Sequence, residues 1–198
     1  MLRRGKDQQT SRLVPHDADR PAVEAARRDP RAFEALYRKY VAQVYSFALY
    51  ELRNVPAAED LTAQVFMRAL AGLPGFREQA EPPHSSFRVW LFQVARNTLS
   101  NERRRTRRHP EAPIELAEMM PATDDVAREV AARDELARAW DAIDRLPEAG
   151  RRAIVLRFVH EMSTREIGEV LGRTEGAVRV LIHRAVRRVA RQLERDAD

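Results

Sequence analysis

The chain of 198 residues contains no cysteine. That excludes a disulfide framework, a thiolate metal site and a cysteine nucleophile, and it suits a reducing compartment. Glycine is scarce, at seven residues, and the Gly5-Lys6 pair lacks the upstream glycine of a P-loop. No long hydrophobic run exists. The best, Val41 to Tyr50, already contains Gln43 and Ser46 and falls well short of the roughly 18 residues a membrane-spanning helix needs. Met1 to Arg20 has early arginines but no apolar h-region, so a secretory signal is not expected. Membrane insertion is therefore not expected, and a cytoplasmic location is. The histidines His16, His84, His109, His160 and His183 are scattered without metal-ligand spacing. Acidic pairs such as Glu59-Asp60 and Asp124-Asp125 read as surface charge, and no nucleophile sits beside a base. The expectation is a protein that is not an enzyme and holds neither metal nor cofactor.

What is present is charge, and it is segregated. The chain is 33% charged and 44% hydrophobic, which fits a folded soluble protein, and its net charge is only +5. Phe87 to Arg108 carries seven Arg and one Glu, a net of +6. Pro110 to Glu135 carries eight acids and two Arg, a net of −6. Thr174 to Arg195 carries six Arg and two Glu, a net of +4. The acidic stretch also holds Pro110, Pro113 and Pro121 and lacks a sustained apolar period, so it reads as a flexible linker. The predicted organisation is a tail over residues 1–22, a first domain over 23–108, a linker over 109–132 and a second domain over 133–195.

Periodicity is helical throughout, giving an all-α prediction of two small helical domains. Asp29-Pro30 opens a helix whose stripe is Phe33, Leu36, Tyr37, Tyr40, Val41, Val44, Ala48 and Leu52. Asn54 and Pro56 open the next, with Leu61, Val65, Ala69 and Leu73 inward. Gly72, Pro74, Gly75 and Pro82-Pro83 force a loop. Ser85 or Ser86 then caps a helix from Phe87 to about Arg108, whose apolar side is Phe87, Trp90, Leu91, Val94, Ala95 and Leu99. Beyond the linker, a helix over 135–146 stops at Pro147, which starts another running through Phe158. Ser163-Thr-Arg-Glu166 is a capping box, Gly172 a left-handed C-cap, and Thr174 the cap of the last helix.

Two constellations carry function. A short helix, a turn with Gly172 and a longer helix with a basic outer face form the helix-turn-helix pattern. Arg179, His183, Arg184, Arg187, Arg188 and Arg191 lie off the apolar stripe of that last helix. Arg179, near its start, is placed for base edges, and Arg187, Arg188 and Arg191 for phosphates. In the helix from Phe87, Trp90 and Phe92 interleave with Arg88, Arg96 and Asn97 and lead into the arginine run Arg103–Arg108. Aromatics beside basic residues suit unstacked bases and backbone phosphate, although the same spacing also serves a helical core. Gly168, Gly172 and Gly176 mimic a small-xxx-small repeat but cross a turn among charges, which argues against membrane dimerisation.

The two ends together resemble a bacterial RNA polymerase sigma factor of the small ECF (extracytoplasmic-function) subfamily, which keeps only regions 2 and 4. The residues that carry this are FEALYRKYVAQVYSFAL (33–49), AAEDLTAQVFMRAL (57–70), GFR (75–77) and FRVWLFQVARNTLSNERRR (87–105) in the first half. In the second they are RLPEAGRRAIVLRF (145–158) and MSTREIGEVLGRTEGAVRVLIHRA (162–185). The resemblance implies a region 2-like helical bundle and a region 4-like helix-turn-helix. It implies that Asp60, Leu61, Gln64 and Met67 dock on the β′ coiled coil of core RNA polymerase. It implies that Phe76, Arg96, Asn97, Arg103, Arg104 and Arg105 serve the −10 element, with Asn97 reading a base, Phe76 near a pocket for a flipped base and the arginines on phosphates. Arg179, Val180, His183 and Arg184 fall on the −35-reading positions. The second domain is expected on the β flap, promoter DNA is the expected nucleic acid, and an anti-sigma partner is a family-level expectation.

The sequence departs from that pattern in places. Ala63-Gln64 stands where the β′-docking helix usually has Gln-Glu, and Ala177, Val180 and Leu181 replace a usual Thr, Ser and Arg. A freestanding helix-turn-helix regulator, dimeric on palindromic half-sites, is the alternative reading of the same residues.

Overall fold

The computed structural model describes residues 19–81, 85–106 and 137–197, with side chains described through 101 in the second stretch and through 196 in the third. Residues 1–18, the linker and the side chains of Arg103, Arg104 and Arg105 lie outside the described residues. All regular structure among the described residues is helical. In chain order the helices are α1 (Arg20–Arg28), α2 (Phe33–Leu52), α3 (Val55–Gly72), α4 (Phe87–Thr106), α5 (137–144), α6 (Glu148–Ile154), α7 (Thr164–Leu171) and α8 (Glu175–Ala197). A short 3₁₀ turn, Pro30–Ala32, precedes α2, another, Leu73–Gly75, follows α3, and a π-helical turn, Val155–Val159, follows α6.

Local chemistry sets the boundaries. Asn54 accepts a hydrogen bond from the Ala57 N–H at 2.8 Å, satisfying an orphan donor at the start of α3. At α7 the capping box is complete. The Ser163 hydroxyl accepts from the Glu166 N–H at 3.2 Å, and the Glu166 carboxylate accepts from the Ser163 N–H at 2.7 Å. Gly172 ends α7 with φ +67°, and Thr174 accepts from the Ala177 N–H at the start of α8. Asp29 caps the 3₁₀ turn rather than α2 itself, accepting from the Arg31 N–H. Helix α1 starts at Arg20 and is tied to the bundle from the residue before it. The buried Asp19 accepts from the Tyr40 hydroxyl and pairs with Lys39 at 2.5 Å, which anchors α1 on α2.

The two helical units also pack on each other. Helices α2, α3 and α4 form a bundle around Leu36, Tyr40, Val44, Leu61, Val65, Leu91 and Leu99, and α6, α7 and α8 form the helix-turn-helix unit. One apolar cluster runs through both, from Val23 to Val178, because α4 packs on α7 as well as on α3. A smaller cluster of Leu146, Ile154 and Ala185 holds α6 against α8.

The helix-turn-helix angle depends on Gly168. A Cβ there would sit 2.7 Å from the Arg173 carbonyl oxygen, which is backbone and cannot step aside. Gly168→Ala should therefore lower stability by roughly 1–3 kcal/mol. Urea unfolding checks this, and an unchanged midpoint would show that the turn has slack.

Candidate nucleic-acid interface

α8 displays its charge outward. Arg179, Val180, His183, Arg184, Arg187 and Arg188 are all exposed, with the Arg179 side chain 67% accessible, while Val178 and Ala185 point into the core. Arg179 is held one turn from Glu175, 2.5 Å away, and Glu175 also accepts from the Thr164 hydroxyl at 2.8 Å. That contact ties the start of α8 to the start of α7 and orients Arg179. Six groups predicted from sequence for one DNA surface thus share one solvent-facing side.

α4 is different because two of its sides are covered. Phe87, Leu91, Ala95 and Leu99 face the bundle, as the stripe predicts. Arg88 and Phe92, placed by sequence among groups suited to single-stranded bases, are buried instead on the side toward α7. Arg88 keeps 2% side-chain exposure, donates to the His160 carbonyl and pairs with Glu166 at 3.6 Å. Phe92 packs edge-on against the His160 ring, centroids 5.1 Å apart. Asn97 is exposed, and Arg96 is half-buried and donates to the Asn97 side chain at 3.3 Å. A periodicity rule that assigns one buried stripe per helix misses the second covered side.

The loop ahead of α4 is organised by one carboxylate that no sequence motif singles out. Glu78 accepts from the Ser85 hydroxyl at 2.6 Å, from the N–H and hydroxyl of Ser86 at 2.5 and 2.7 Å, and from the Gln79 and Ala80 N–H groups at 3.1 Å. Burial would raise its pKa, but the Ser85, Ser86 and Ala80 hydrogen bonds outweigh that and pull it to about 2. The only sequence signal was the Ser85-Ser86 cap that Glu78 reaches. Beside the loop lies a cavity of about 280 Å³, lined by Phe76, Arg77, Trp90 and Gln93 from the first half and by Glu169 from the second. Phe76 is buried beside it, tilted against Trp90 with centroids 5.2 Å apart.

On α3, Asp60, Gln64 and Met67 fall at i, i+4 and i+7, so they share one side of the helix. Asp60 is exposed and Met67 is 63% accessible, whereas Gln64 is half-buried. Leu61 corrects the expectation. It is fully buried in the bundle and cannot touch a partner, so its contribution is to hold α3 in place.

Comparison with known proteins places this geometry. Sigma-70 region 2 matches residues 36–109, and Sigma-70 region 4 matches residues 136–189. The RNA polymerase sigma-H factor of Pseudomonas aeruginosa is 30% identical over 192 residues, covering 92% of this chain and 97% of that one. The chain belongs to the ECF RNA polymerase sigma factors. The ECF sigma factor BldN of Streptomyces coelicolor is 34% identical over 169 residues, covering 84% of this chain and 62% of BldN. The solved structure of CnrH in complex with the cytosolic domain of CnrY superposes with a TM-score of 0.65 at 26% identity, over 91% of this chain and 99% of that one. The family assignment places most of α2 together with α3 and α4 in region 2 of this sigma factor, and α5 to α7 with most of α8 in region 4. Sigma factors bind core RNA polymerase and promoter DNA, and no helix among the described residues is long and apolar enough to cross a membrane.

His160 sits where the two regions of this sigma factor meet, and burial together with the adjacent Arg88 lowers its pKa to about 3 from 6.5. Between those values the unfolded chain binds a proton that the folded chain refuses, so stability falls as pH falls below 6.5. The loss should reach about 2 kcal/mol by pH 5 at the limiting slope of about 1.4 kcal/mol per pH unit. Urea midpoints at pH 7 and 5 check it in the wild type and in His160→Phe. An equally steep pH dependence in His160→Phe would contradict it.

Proposed function

We propose that this sigma factor directs core RNA polymerase to promoters with −35 and −10 elements through two separate surfaces and performs no chemistry itself. The observation that carries the reading is the outward-facing set on α8 combined with a second, aromatic-lined site at the start of α4. A duplex is read by a helix in the major groove, and an unpaired base needs a cavity with an aromatic wall.

In this reading Arg179 contacts a base edge of the −35 element beside Val180, His183 and Arg184, and Arg187 and Arg188 hold phosphates. Val180 offers a methyl surface, the kind of contact a thymine methyl accepts. Asn97 reads the −10 element, the cavity beside Phe76 and Trp90 receives a flipped base, and Arg96 with Arg103, Arg104 and Arg105 neutralises backbone. Asp60, Gln64 and Met67 dock on the β′ coiled coil, and Phe158, exposed within the π-helical turn, gives region 4 an apolar contact for the β flap. The domain boundaries belong to the same proposal: region 2 over 23–108, with α1 as its first helix, region 4 over 133–195, and between them a linker over 109–132. An anti-sigma factor is a further proposed partner, supported by the similarity to CnrH, whose structure contains the cytosolic domain of CnrY. A cytoplasmic site of action follows from the proposed partners.

Arg179→Ala should cost about 1–3 kcal/mol of −35 duplex binding and relax preference at one base position while core binding stays intact. Anisotropy with purified core and promoter fragments separates the two, and equal loss of both would contradict the assignment. Replacing Arg103, Arg104 and Arg105 together with Ser should flatten the log–log salt dependence of promoter binding by up to about 0.9 for each phosphate no longer neutralised. An unchanged slope would mean that those side chains face solvent.

A further inference from the structure

We propose that Glu175, fixed from α7 by the Thr164 hydroxyl, is a positioning residue for promoter choice: it holds the Arg179 guanidinium in place to grip the guanine of a G·C pair in the −35 element. The inference rests on the promoter-binding reading above and gives it two further residues, an acid on the recognition helix and a hydroxyl on the helix before it.

Connectivity singles out Glu175. Its Oε1 accepts from the Thr164 hydroxyl at 2.8 Å and from Arg179 Nη2 at 2.5 Å, so one atom joins α7 to a side chain on the exposed side of α8. The Thr164 contact, and after it the Arg179 contact, hold the Glu175 carboxyl below the usual carboxylate range, so it is ionised near neutral pH. Pairs of the same i, i+4 kind, Glu34 with Arg38 and Glu169 with Arg165, lie within one helix. Such exposed pairs fix little, because both side chains can swing into water. Of these carboxylates, among the described residues, only that of Glu175 also accepts from another helix.

The backbone does not need this carboxylate. An acidic side chain in the first turn of a helix commonly serves the unpaired N–H groups there. At α8 the Thr174 hydroxyl already accepts from the Ala177 N–H, and both hydrogen bonds to the Glu175 carboxylate come from side chains. A negative charge on the side of a helix that meets DNA also repels phosphates, so it weakens binding to every sequence alike.

Arg179 keeps donors for a base. It reaches Glu175 through Nη2, its side chain remains 67% accessible, and the guanidinium carries further N–H groups beyond the one so engaged. Parallel N–H groups of an arginine match O6 and N7 of guanine, the commonest specific contact in a major groove. A free arginine gives up rotamer freedom when it grips a base, and one held beforehand gives up less. That benefit falls only on the base able to accept both hydrogen bonds, whereas the repulsion of phosphates falls on all sequences. Glu175 thus lowers general affinity and raises discrimination, and Thr164 acts on that choice through Glu175.

Glu175→Ala and Thr164→Val test this in the full chain assembled with purified core polymerase. The holoenzyme selects from a promoter pool randomised across the −35 element, and base preference is read position by position beside Arg179→Ala. Glu175→Ala should lower the preference for guanine about fivefold, the lower end of what a two-pronged arginine–guanine pair supplies, at the position that Arg179→Ala flattens. Preference at the other positions should stay, and binding to a duplex of unrelated sequence should be equal or tighter. Thr164→Val should lose part of the same preference, and Thr164→Ser, which keeps the hydroxyl, should retain it. Unchanged guanine preference in Glu175→Ala would overturn the role. Equal loss at every position together with weaker binding to unrelated duplex would overturn it too, because Glu175 would then only support the fold. So would a preference at the shared position for a pair other than G·C. Failure of the sigma reading looks different: the unmodified chain would then neither bind core nor show base preference at any position.

Discussion

The guanidinium of Arg88 is shut away from water between a helix of region 2 and the loop and helix of region 4, and much of the molecule's arrangement follows from that one placement. It stands on the N-terminal turn of α4, and its partners are the His160 carbonyl and the Glu166 carboxylate, both from the other half. Removing one partner of such a buried charge typically costs about 3–5 kcal/mol, because the remaining charge is left uncompensated. Glu166 is also the carboxylate of the α7 capping box, so the group that terminates a helix locally also receives a cation from a distant one. The start of the helix-turn-helix and the inter-domain seam are therefore one structural feature.

Electrostatics divide the two basic segments accordingly. On α8 the arginines face outward along their length, and Arg179 makes a local pair with Glu175. On α4 the first arginine is consumed by the seam, the second lies half-covered, and Asn97 is the first of the proposed reading groups to stand in the open. A net charge read from sequence treats these segments alike, yet only one displays its charge fully in this conformation. Organisation of the loop by Glu78 fixes Phe76 and the start of α4 relative to each other.

Where the fold was legible in the sequence, a local rule set it. Asn54, the Ser163–Glu166 box and Gly172 each act within one helical turn, so their residue types announce the boundary. The inward stripe of α3 and the outward arginines of α8 follow from the 3.6-residue period. The features that were not legible depend on residues far apart in sequence. Helix α1 is secured by Asp19 against Tyr40, and no pattern within residues 20–28 states that. Arg88 and Phe92 look like surface groups until α7 covers them. Leu61 sits in a family motif associated with partner binding, but its neighbours turn it inward. The π-helical turn at Val155–Val159 continues a helical period without a break in composition, so the sequence reads through it.

The central claim is that two surfaces of one chain, the outer side of α8 and the start of α4, serve two promoter elements at once and so lie far apart when bound. Spin labels at Ser100→Cys and Arg173→Cys, both exposed positions, report that separation directly by pulsed dipolar spectroscopy. The account expects a distance of tens of Å, on the scale of about 25 base pairs, in the complex with core polymerase and promoter DNA. A short distance in an active promoter complex would contradict it.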